Sequence, residues 1–381
     1  MNLKRQLVNV DYWLIAAICA LSVFGIICIG SATHINLGDS TSIFYSQILW
    51  FIIGLAILFF VTFFIDYTFL SRYYILFYLI NIILLVLVLL IGREANNAKR
   101  WISFGPASIQ PSEFAKIIMV FCLAKFIDKN REKINNITIL IFTCISVIIP
   151  IVLIQMQPSL SASLVLLAVL CVILFVAGLN MKIVGYLLAV TVPVIVFVLW
   201  DGSKDNPLII DKILRLHQLQ RIRAYINPEK YPDLAYQTLQ SIKAIGSGRL
   251  QGKGLYHGTL NQLSYLPEPH NDFIFSIIGE EFGFIGCIIV LLLLFFIVFR
   301  CILIAMTTRD TFGQLIAAGI AGMLAFQTLI NVGVATGVIP NTGMPLPFVS
   351  YGGSSMWTNM ASIGLVLNIG LRRSRTLFEG V

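Results

Sequence analysis

The chain has 381 residues, of which 58% are hydrophobic and 12% are charged. Soluble domains contain roughly a quarter charged residues, so this composition excludes an ordinary soluble enzyme and indicates a membrane protein. All seven cysteines lie in apolar runs, which argues against a disulfide framework, and the net charge of +8 is spread over many loops, so we predict no nucleic-acid partner.

Apolar runs long enough to cross a bilayer, about 20 residues each, recur along the chain. The fourth run is short and follows Pro111, which predicts a tilted helix or re-entrant backbone beside it. We therefore predict an all-α fold, a polytopic membrane protein with one transmembrane domain over residues 1–381. Its ten transmembrane helices are predicted near 12–31, 45–65, 73–92, 112–128, 137–155, 159–179, 181–200, 272–300, 311–338 and 350–371.

The loops predict the orientation of these helices, because Lys and Arg in short loops favour the cytoplasmic side. With the N-terminus inside, the inner segments hold 13 basic residues and the short outer loops hold three, Arg93, Lys99 and Arg100. We therefore expect both termini in the cytoplasm. Residues 201–271 then form one large extracytoplasmic loop.

This large loop contains two predicted helices. Asp233 follows Pro232 and is predicted to cap a helix whose apolar residues recur at helical spacing until Gly246 and Gly248 end it. An earlier stretch, residues 211–226, mixes apolar and basic residues. It suits either a basic helix on the membrane surface or an ordinary solvated helix packed on the protein.

Residues 267–275 mark the change from a polar to an apolar segment, and Asp272 is predicted to be the last ionisable residue before the apolar run. A carboxylate at a membrane boundary is costly unless it faces water, a partner or a substrate. Pro267 and Pro269 restrict the backbone around it. Asp272 is therefore a candidate catalytic base.

The glycine-rich run 246–254 does not match a phosphate-binding loop, since Ser247 and Gly254 stand where that motif needs Gly and Ser or Thr. A looser role stays open, in which backbone N–H groups between Arg249 and Lys253 bind a diphosphate. A simple helix stop and turn is an equally good interpretation.

A third cluster combines Arg100 with Glu113 and Lys116, which share a face if their segment is helical. Lys116 must snorkel, pair with Glu113 or face a wet cavity. A structural ion pair explains it without any ligand, whereas several cations near a membrane surface suit an anionic lipid headgroup.

Residues 340–355 contain three prolines and three glycines and cannot form a regular helix. Broken backbone at membrane depth is tolerated where it lines a cavity or is buried in protein. We predict that this segment lines a cavity. The four histidines are scattered and predict no metal site.

Together these motifs resemble the SEDS family of shape, elongation, division and sporulation proteins. The resemblance covers nearly the whole chain in order, and residues 252–259 are more similar to the elongation member than to the division member. The residues that carry it are Lys99-Arg100-Trp101, Gln110-Pro111-Ser112-Glu113, Gly246-Ser247-Gly248, Gly252-Lys253-Gly254, Leu266-Pro267-Glu268, His270-Asn271-Asp272-Phe273-Ile274-Phe275 and Pro345-Leu346-Pro347-Phe348-Val349-Ser350-Tyr351-Gly352-Gly353-Ser354-Ser355.

The resemblance implies a peptidoglycan glycosyltransferase that polymerises lipid II at the outer face of the bacterial cytoplasmic (inner) membrane during elongation. It implies a class B penicillin-binding protein and other elongation-complex membrane proteins as partners. It makes a divalent cation, Mg or Mn, a plausible cofactor, although the sequence shows no dedicated carboxylate cage. A lipid II flippase, a division-type glycosyltransferase and a non-catalytic scaffold are the alternatives.

The family's His-x-Asp-Phe acid falls on Asp272, which we predict to be catalytic. In one place the chain departs from the family, because Ser159 follows Gln157-Pro158 where an acid is usual. The predicted substrate-binding residues are Arg100, Glu113, Lys116, Lys243, Arg249, Lys253, His270 and Ser350.

Overall fold

The computed structural model describes residues 10–33, 40–95, 98–104, 107–202, 204, 216–266 and 269–373. Within these ranges the chain is mostly helical. The α-helices, in chain order, are α1 (Tyr12–Ala32), α2 (Ser40–Phe64), α3 (Tyr67–Leu70), α4 (Tyr74–Ile91), α5 (Pro111–Lys129), α6 (Ile137–Met156), α7 (Leu160–Val176), α8 (Met181–Gly202), α9 (Leu216–Ile226), α10 (Pro232–Ser247), α11 (Thr259–Gln262), α12 (Ile274–Thr307), α13 (Thr311–Ala335) and α14 (Gly353–Arg373). The short 3-10 helices Ser71–Tyr73 and Arg131–Lys133 lie between them.

Each of the ten predicted apolar runs coincides with a helix of at least 17 residues. Apolar runs become helices because lipid offers no partner for backbone N–H and C=O groups. The number of ten membrane crossings stays a prediction. By length and composition, six described helical stretches suffice to cross a membrane: Tyr12–Ala32, Ser42–Phe64, Tyr67–Ile91, Ile137–Met156, Ile274–Thr307 and Thr311–Ala335.

The prediction of an all-helical chain was wrong between α4 and α5, where three strands form a small antiparallel sheet. The strands are β1 (Arg93–Ala95), β2 (Ala98–Phe104) and β3 (Ala107–Ile109), in the order β1-β2-β3. In this sheet Ile102 pairs with Ile109. Strands β1 and β3 have three residues each, too few to produce a clear alternation in the sequence. The backbone directly in front of α5 is therefore this sheet, which also carries Arg100.

Polar caps fix the ends of several helices. The Asp11 carboxylate accepts a hydrogen bond from Leu14 N at 3.1 Å at the start of α1, and Asp310 accepts from Gly313 N at 2.7 Å at the start of α13. Such caps satisfy N–H groups that have no partner within the helix. Arg300 Nε donates to Asp11 Oδ2 at 2.8 Å, which also ties the end of α12 to the start of α1.

Helices α2 and α14 pack closely because a glycine lies between them. A Cβ on Gly364 would lie 2.9 Å from Leu58 O, so a larger residue would push the helices apart. Buried polar groups add to this contact, since Asn368 Nδ2 donates to Thr62 O at 2.7 Å and to Ile65 O at 2.8 Å. The pair is a stable support for the loop that precedes α14.

The described part of residues 201–271, the segment predicted to be the large loop, contains the two predicted helices, with one correction. Helix α10 starts at Pro232 with Tyr231 as its N-cap, and no side chain of the described residues caps it there, so Asp233 is not the cap. Asp233 instead lies in the first turn, where its negative charge interacts favourably with the positive end of the helix dipole. In α9, Leu219 and Ala224 are buried, which favours a helix packed on the protein. Positions 205–215 lie outside the described residues.

Candidate active site

Asp272 lies in the turn immediately before α12 and is half-buried. Its carbonyl accepts a hydrogen bond from Asn331 Nδ2 of α13 at 2.9 Å. The same amide donates to Met344 O at 2.7 Å, and Asn331 itself is buried. One buried side chain therefore joins the Asp272 turn to the loop between α13 and α14. Positions 267 and 268 lie outside the described residues.

This loop also holds His270 in place. Tyr351 N donates to His270 O at 2.9 Å, and the two rings meet edge to face at 5.4 Å. Gln47 of α2 donates to Ser350 O at 3.4 Å and accepts from Gly352 N at 3.2 Å. His270 and Asp272 therefore stand on a turn that is fixed from α13, from the loop and from α2.

Arg221 of α9 and the Asp272 carboxylate both approach Gly343, a proximity that sequence reasoning missed. Gly343 has φ +70°, and a Cβ there would lie 3.4 Å from Asp272 Oδ2 and 3.7 Å from Arg221 Nη1. Arg221 Nη1 also donates to Asn341 O at 3.2 Å. Burial lowers the pKa of Arg221, and the attraction of Asp272 acts to raise it. The sequence showed a basic stretch here but gave no sign of its target.

Ser350 is buried, and its hydroxyl accepts a hydrogen bond from Leu346 N at 2.8 Å. This geometry favours a role in holding the loop, while its predicted contact with substrate stays a prediction. The neighbouring Leu346 and Phe348 are buried as well. Most of the broken segment is therefore buried in protein, and Asn341 near its start lines a cleft.

Glu113 and Lys116 form an ion pair, with Lys116 Nζ 2.7 Å from Glu113 Oε2 and the two side chains 8% and 3% exposed. Of the roles that the sequence left open for Lys116, pairing is the one observed. The start of α5 is tied to the start of α14 as well, since Gln110 N donates to Ser354 Oγ at 3.0 Å. In this conformation the pair supports the helices around the site.

Arg100 of β2 donates from Nε to Gln157 O at 2.9 Å and from Nη2 to Pro158 O. These carbonyls belong to the turn between α6 and α7, directly before Ser159. The guanidinium therefore anchors the sheet to this turn. The sequence drew attention to Arg100 through its charge. Its partners are backbone carbonyls, which no sequence motif identifies.

The glycine-rich run packs against the start of α12, which favours the helix stop and turn over the N–H phosphate cradle that the sequence also left open. Lys253 N donates to Glu280 O at 3.0 Å and Gly254 N donates to Glu281 O at 2.9 Å, so these donors are already used. A Cβ on Gly248 would lie 2.9 Å from Glu280 O and closer still to Gly279 O. The glycines serve the close approach of two backbones, rather than a free anion site.

Lys253 itself pairs with Glu280, at 2.7 Å between Nζ and Oε1, and the Glu280 side chain is fully buried. The remaining predicted cations behave differently. Arg249 and Lys243 are exposed, and the Arg249 carbonyl accepts from Phe284 N at 2.9 Å. Among these predicted cations, Lys253 is held by a buried carboxylate, whereas the side chains of Arg249 and Lys243 are exposed.

A family model for FtsW, RodA and SpoVE, described as "Cell cycle protein", matches residues 11–375. The chain belongs to this family, the SEDS proteins. It is 36% identical over 373 residues to a protein named probable peptidoglycan glycosyltransferase FtsW of Trichlorobacter lovleyi, covering 96% of this chain and 94% of that protein. It is 36% identical over 302 residues to peptidoglycan glycosyltransferase MrdB of Escherichia coli K12, covering 78% and 77%.

The fold of this SEDS protein also matches a chain of a solved peptidoglycan synthase complex that coordinates polymerization and crosslinking. The TM-score is 0.78 at 29% identity, and the match covers 96% of this chain and 98% of that chain. The architecture described above is therefore an architecture that solved SEDS-like proteins share.

In this SEDS protein two further acids lie beyond Asp272, inside the apolar run itself, and the sequence reasoning did not single them out. Glu280 and Glu281 lie within α12 and are both buried. Glu280 also accepts from Leu260 N at 2.9 Å, and Glu281 accepts from Ser31 Oγ at 2.5 Å. Charges inside an apolar run were the signal that could have identified them.

The described residues do not fit a resident divalent cation. Among them, no group of three or more His, Cys, Asp or Glu side chains is placed to hold a metal ion. The Glu280 carboxylate already binds Lys253 and backbone N–H groups. The Asp272 carboxylate lies near the Arg221 guanidinium, since both approach Gly343.

Proposed function

We propose that this chain is a peptidoglycan glycosyltransferase that polymerises lipid II at the outer face of a bacterial inner membrane, with Asp272 as the general base. The names of its relatives support the reaction class. The observation that carries the proposal is the Asp272 carboxylate, half-buried on a turn anchored by Asn331 and facing Arg221. Such a rigid acid can be aimed at a sugar hydroxyl.

In the proposed reaction, an acceptor sugar hydroxyl gives its proton to Asp272 as its oxygen attacks the anomeric carbon of a lipid-diphosphate donor. A new C–O glycosidic bond forms, the bond from the anomeric carbon to phosphate breaks, and the diphosphate leaves with the electron pair. The negative charge that develops on this leaving group requires nearby cations. Arg221 is the residue we assign to it, because it already faces Asp272.

The other predicted contacts divide into two groups. Arg100, Lys116 and Lys253 are bound by carbonyls or carboxylates, so in this conformation they support the walls of the site. His270 stands beside the acid. Glu113 and Ser350 keep their proposed place at the edge of the site, and the exposed Lys243 and Arg249 are proposed to meet the charged part of the substrate.

For the membrane topology, we propose ten crossings with both termini in the cytoplasm and residues 201–271 on the outer side. Ten long helices and the bias of basic residues to one set of loops support this arrangement. The whole chain is then one transmembrane domain. Asp272 lies at the outer end of α12, where lipid-linked precursors are used.

We further propose an elongation role, similar to RodA, supported by residues 252–259. A division role similar to FtsW is the alternative, because the chain is 36% identical both to the FtsW relative and to MrdB, a RodA protein. A class B penicillin-binding protein is the proposed partner, together with other membrane proteins of the elongation complex. The likeness to a chain of a solved synthase complex supports the idea of a partner.

The deciding experiment compares wild type with Asp272→Asn in a lipid II polymerisation assay with purified chain. This substitution keeps the shape of the side chain and removes the base. We expect polymer from wild type, with the rate for the variant reduced at least about a hundredfold. Equal polymerisation by both proteins would refute the assignment of Asp272.

The same preparations separate the alternatives. If the chain is a flippase, both wild type and Asp272→Asn would move lipid II across the membrane of vesicles, and neither would form polymer. A scaffold would give polymer only with an active partner, so the assay includes a partner with an inactivated catalytic centre. Polymer formed under that condition supports the enzyme.

A further inference from the structure

An open cleft of about 500 Å³ lies between α9 and α10 and is closed at one side by the segment that follows α13. Sites for small organic ligands span roughly 300–1,000 Å³, so the cleft has the size of a binding site. It belongs to the large loop, and none of the predicted substrate residues lines it. Its role is therefore a separate question from that of the acid.

The inner end of this cleft reaches the Asp272 site through Arg221. Arg221 and Asn341 both line the cleft and are joined by a hydrogen bond of 3.2 Å. The same guanidinium lies beside Gly343, as does the Asp272 carboxylate. A ligand that fills the cleft would therefore place one end next to the proposed catalytic acid.

The charges of the lining indicate what class of ligand fits. Among the described lining residues, Arg221 is the one base and Asp233 the one acid. A diphosphate along the cleft would need several cations and would meet the Asp233 carboxylate. A ligand with a charged end at Arg221 and a neutral body along the cleft matches this distribution.

The neutral part of the lining suits sugars. Tyr225 and Tyr236 line it and are 37% and 38% exposed, so their rings are open to a ligand. The Tyr225 hydroxyl donates to Val338 O at 2.7 Å, which holds that ring in place. Asn341 Nδ2 donates to Gln237 Oε1 at 3.2 Å, so the Gln237 amide N–H groups can face a ligand. Aromatic rings and oriented amides bind the faces and N-acetyl groups of amino sugars.

We infer that this cleft is the subsite for the saccharide strand of the lipid-linked donor, with the diphosphate end at Arg221 and the sugars along α9 and α10. The inference rests on the proposed glycosyltransferase function. A seated strand brings its anomeric carbon to Asp272 and keeps the strand bound between additions. The cleft residues therefore set the length of the product.

The test uses Tyr236→Ala and a matched control, Tyr186→Ala, which removes an exposed tyrosine ring from α8 outside the cleft. The full chain is placed in nanodiscs on the Asp272→Asn background, and binding of chitotetraose is measured by saturation-transfer difference NMR. Cellotetraose, which lacks N-acetyl groups, is the ligand control. We expect Tyr236→Ala to bind chitotetraose about tenfold more weakly than Tyr186→Ala.

A second readout uses the active chain and lipid II. Tyr236→Ala is expected to give shorter glycan strands, Tyr186→Ala to give strands of wild-type length, and Tyr236→Phe to restore both length and binding because it keeps the ring. The thermal midpoint of each variant shows whether it is folded. If Tyr236→Ala is unstable, Tyr236→Phe still decides the test, because wild-type binding and strand length in that variant would show that the ring is what the ligand needs.

The outcomes distinguish the cleft from the proposed function. Polymerisation by wild type with unchanged binding and strand length in Tyr236→Ala would overturn the cleft assignment alone. Binding of chitotetraose through Tyr236 without any lipid II polymer would instead contradict the glycosyltransferase function. If Tyr236→Ala lowered polymerisation only when a partner protein is present, the cleft would be a protein interface. This result would also overturn the inference.

Discussion

Gly252 is the position at which the packing of the glycine-rich run can be tested most sharply. Its φ is +81°, and a Cβ there would lie 2.6 Å from Phe282 N and closer still to the backbone carbonyl of Glu281. These are backbone atoms of α12, which cannot rotate away as a side chain would. Gly252→Ala must therefore shift the loop or the helix.

The expected cost follows from two effects. The left-handed conformation costs an alanine roughly 1–2 kcal/mol. Overpacking of a well-packed contact adds about 1–3 kcal/mol. We expect Gly252→Ala to lower the free energy of unfolding by about 2–5 kcal/mol, the sum of these terms. Titration with SDS in mixed micelles, followed by circular dichroism, measures this difference.

Gly246→Ala is the matched control within the same run. Gly246 lies in the last turn of α10, and a Cβ there would meet nothing within 4 Å among the described residues. Alanine in a helix is favoured over glycine by up to about 1 kcal/mol, so this variant is expected to be as stable as wild type or slightly more stable. Equal stability of the two variants would refute the idea that the run is a backbone-packing device.

Two further predictions concern buried polar contacts. Glu280→Gln leaves Lys253 without its carboxylate and is expected to lower the free energy of unfolding by about 3 kcal/mol in the same SDS titration. Adding Lys253→Met is expected to recover much of this loss, because no unpaired charge is then left. If the losses of the two substitutions simply added in the double variant, the ion pair would be contradicted. Asn331→Ala removes the amide that holds the turn carrying Asp272. We expect kcat for lipid II polymerisation to fall about tenfold or more while the variant stays folded. An unchanged kcat would show that Asn331 does not position the acid.

The sequence located the helices well, since each predicted apolar run coincides with one. Membrane helices are encoded locally, because each must satisfy its own backbone and bury its own apolar surface. The small sheet before α5 was missed for the opposite reason. Its strands are short and are held by pairing with one another, and such pairing leaves little trace in the composition.

For the candidate site, the sequence singled out Asp272, whose role stays a prediction, and gave pairing with Glu113 as one of the roles open to Lys116, three residues further along the helix. For the glycine-rich run it left two interpretations open, a loose diphosphate site and a helix stop and turn. A glycine can serve a turn, an anion or a close contact, and the pattern of letters is the same in each case. Only the position of α12 against the run shows that close contact is its use here.

By itself the sequence determined the membrane class and the helices, and it proposed the acid at the start of α12 as a candidate. Only the tertiary structure decided what each charge meets. Lys253 and Glu280 are 27 residues apart yet form an ion pair, and Arg221 and Asp272 are further apart still yet both lie beside Gly343. Their strength depends on distance and burial, which arise from how the helices pack and which no local motif records.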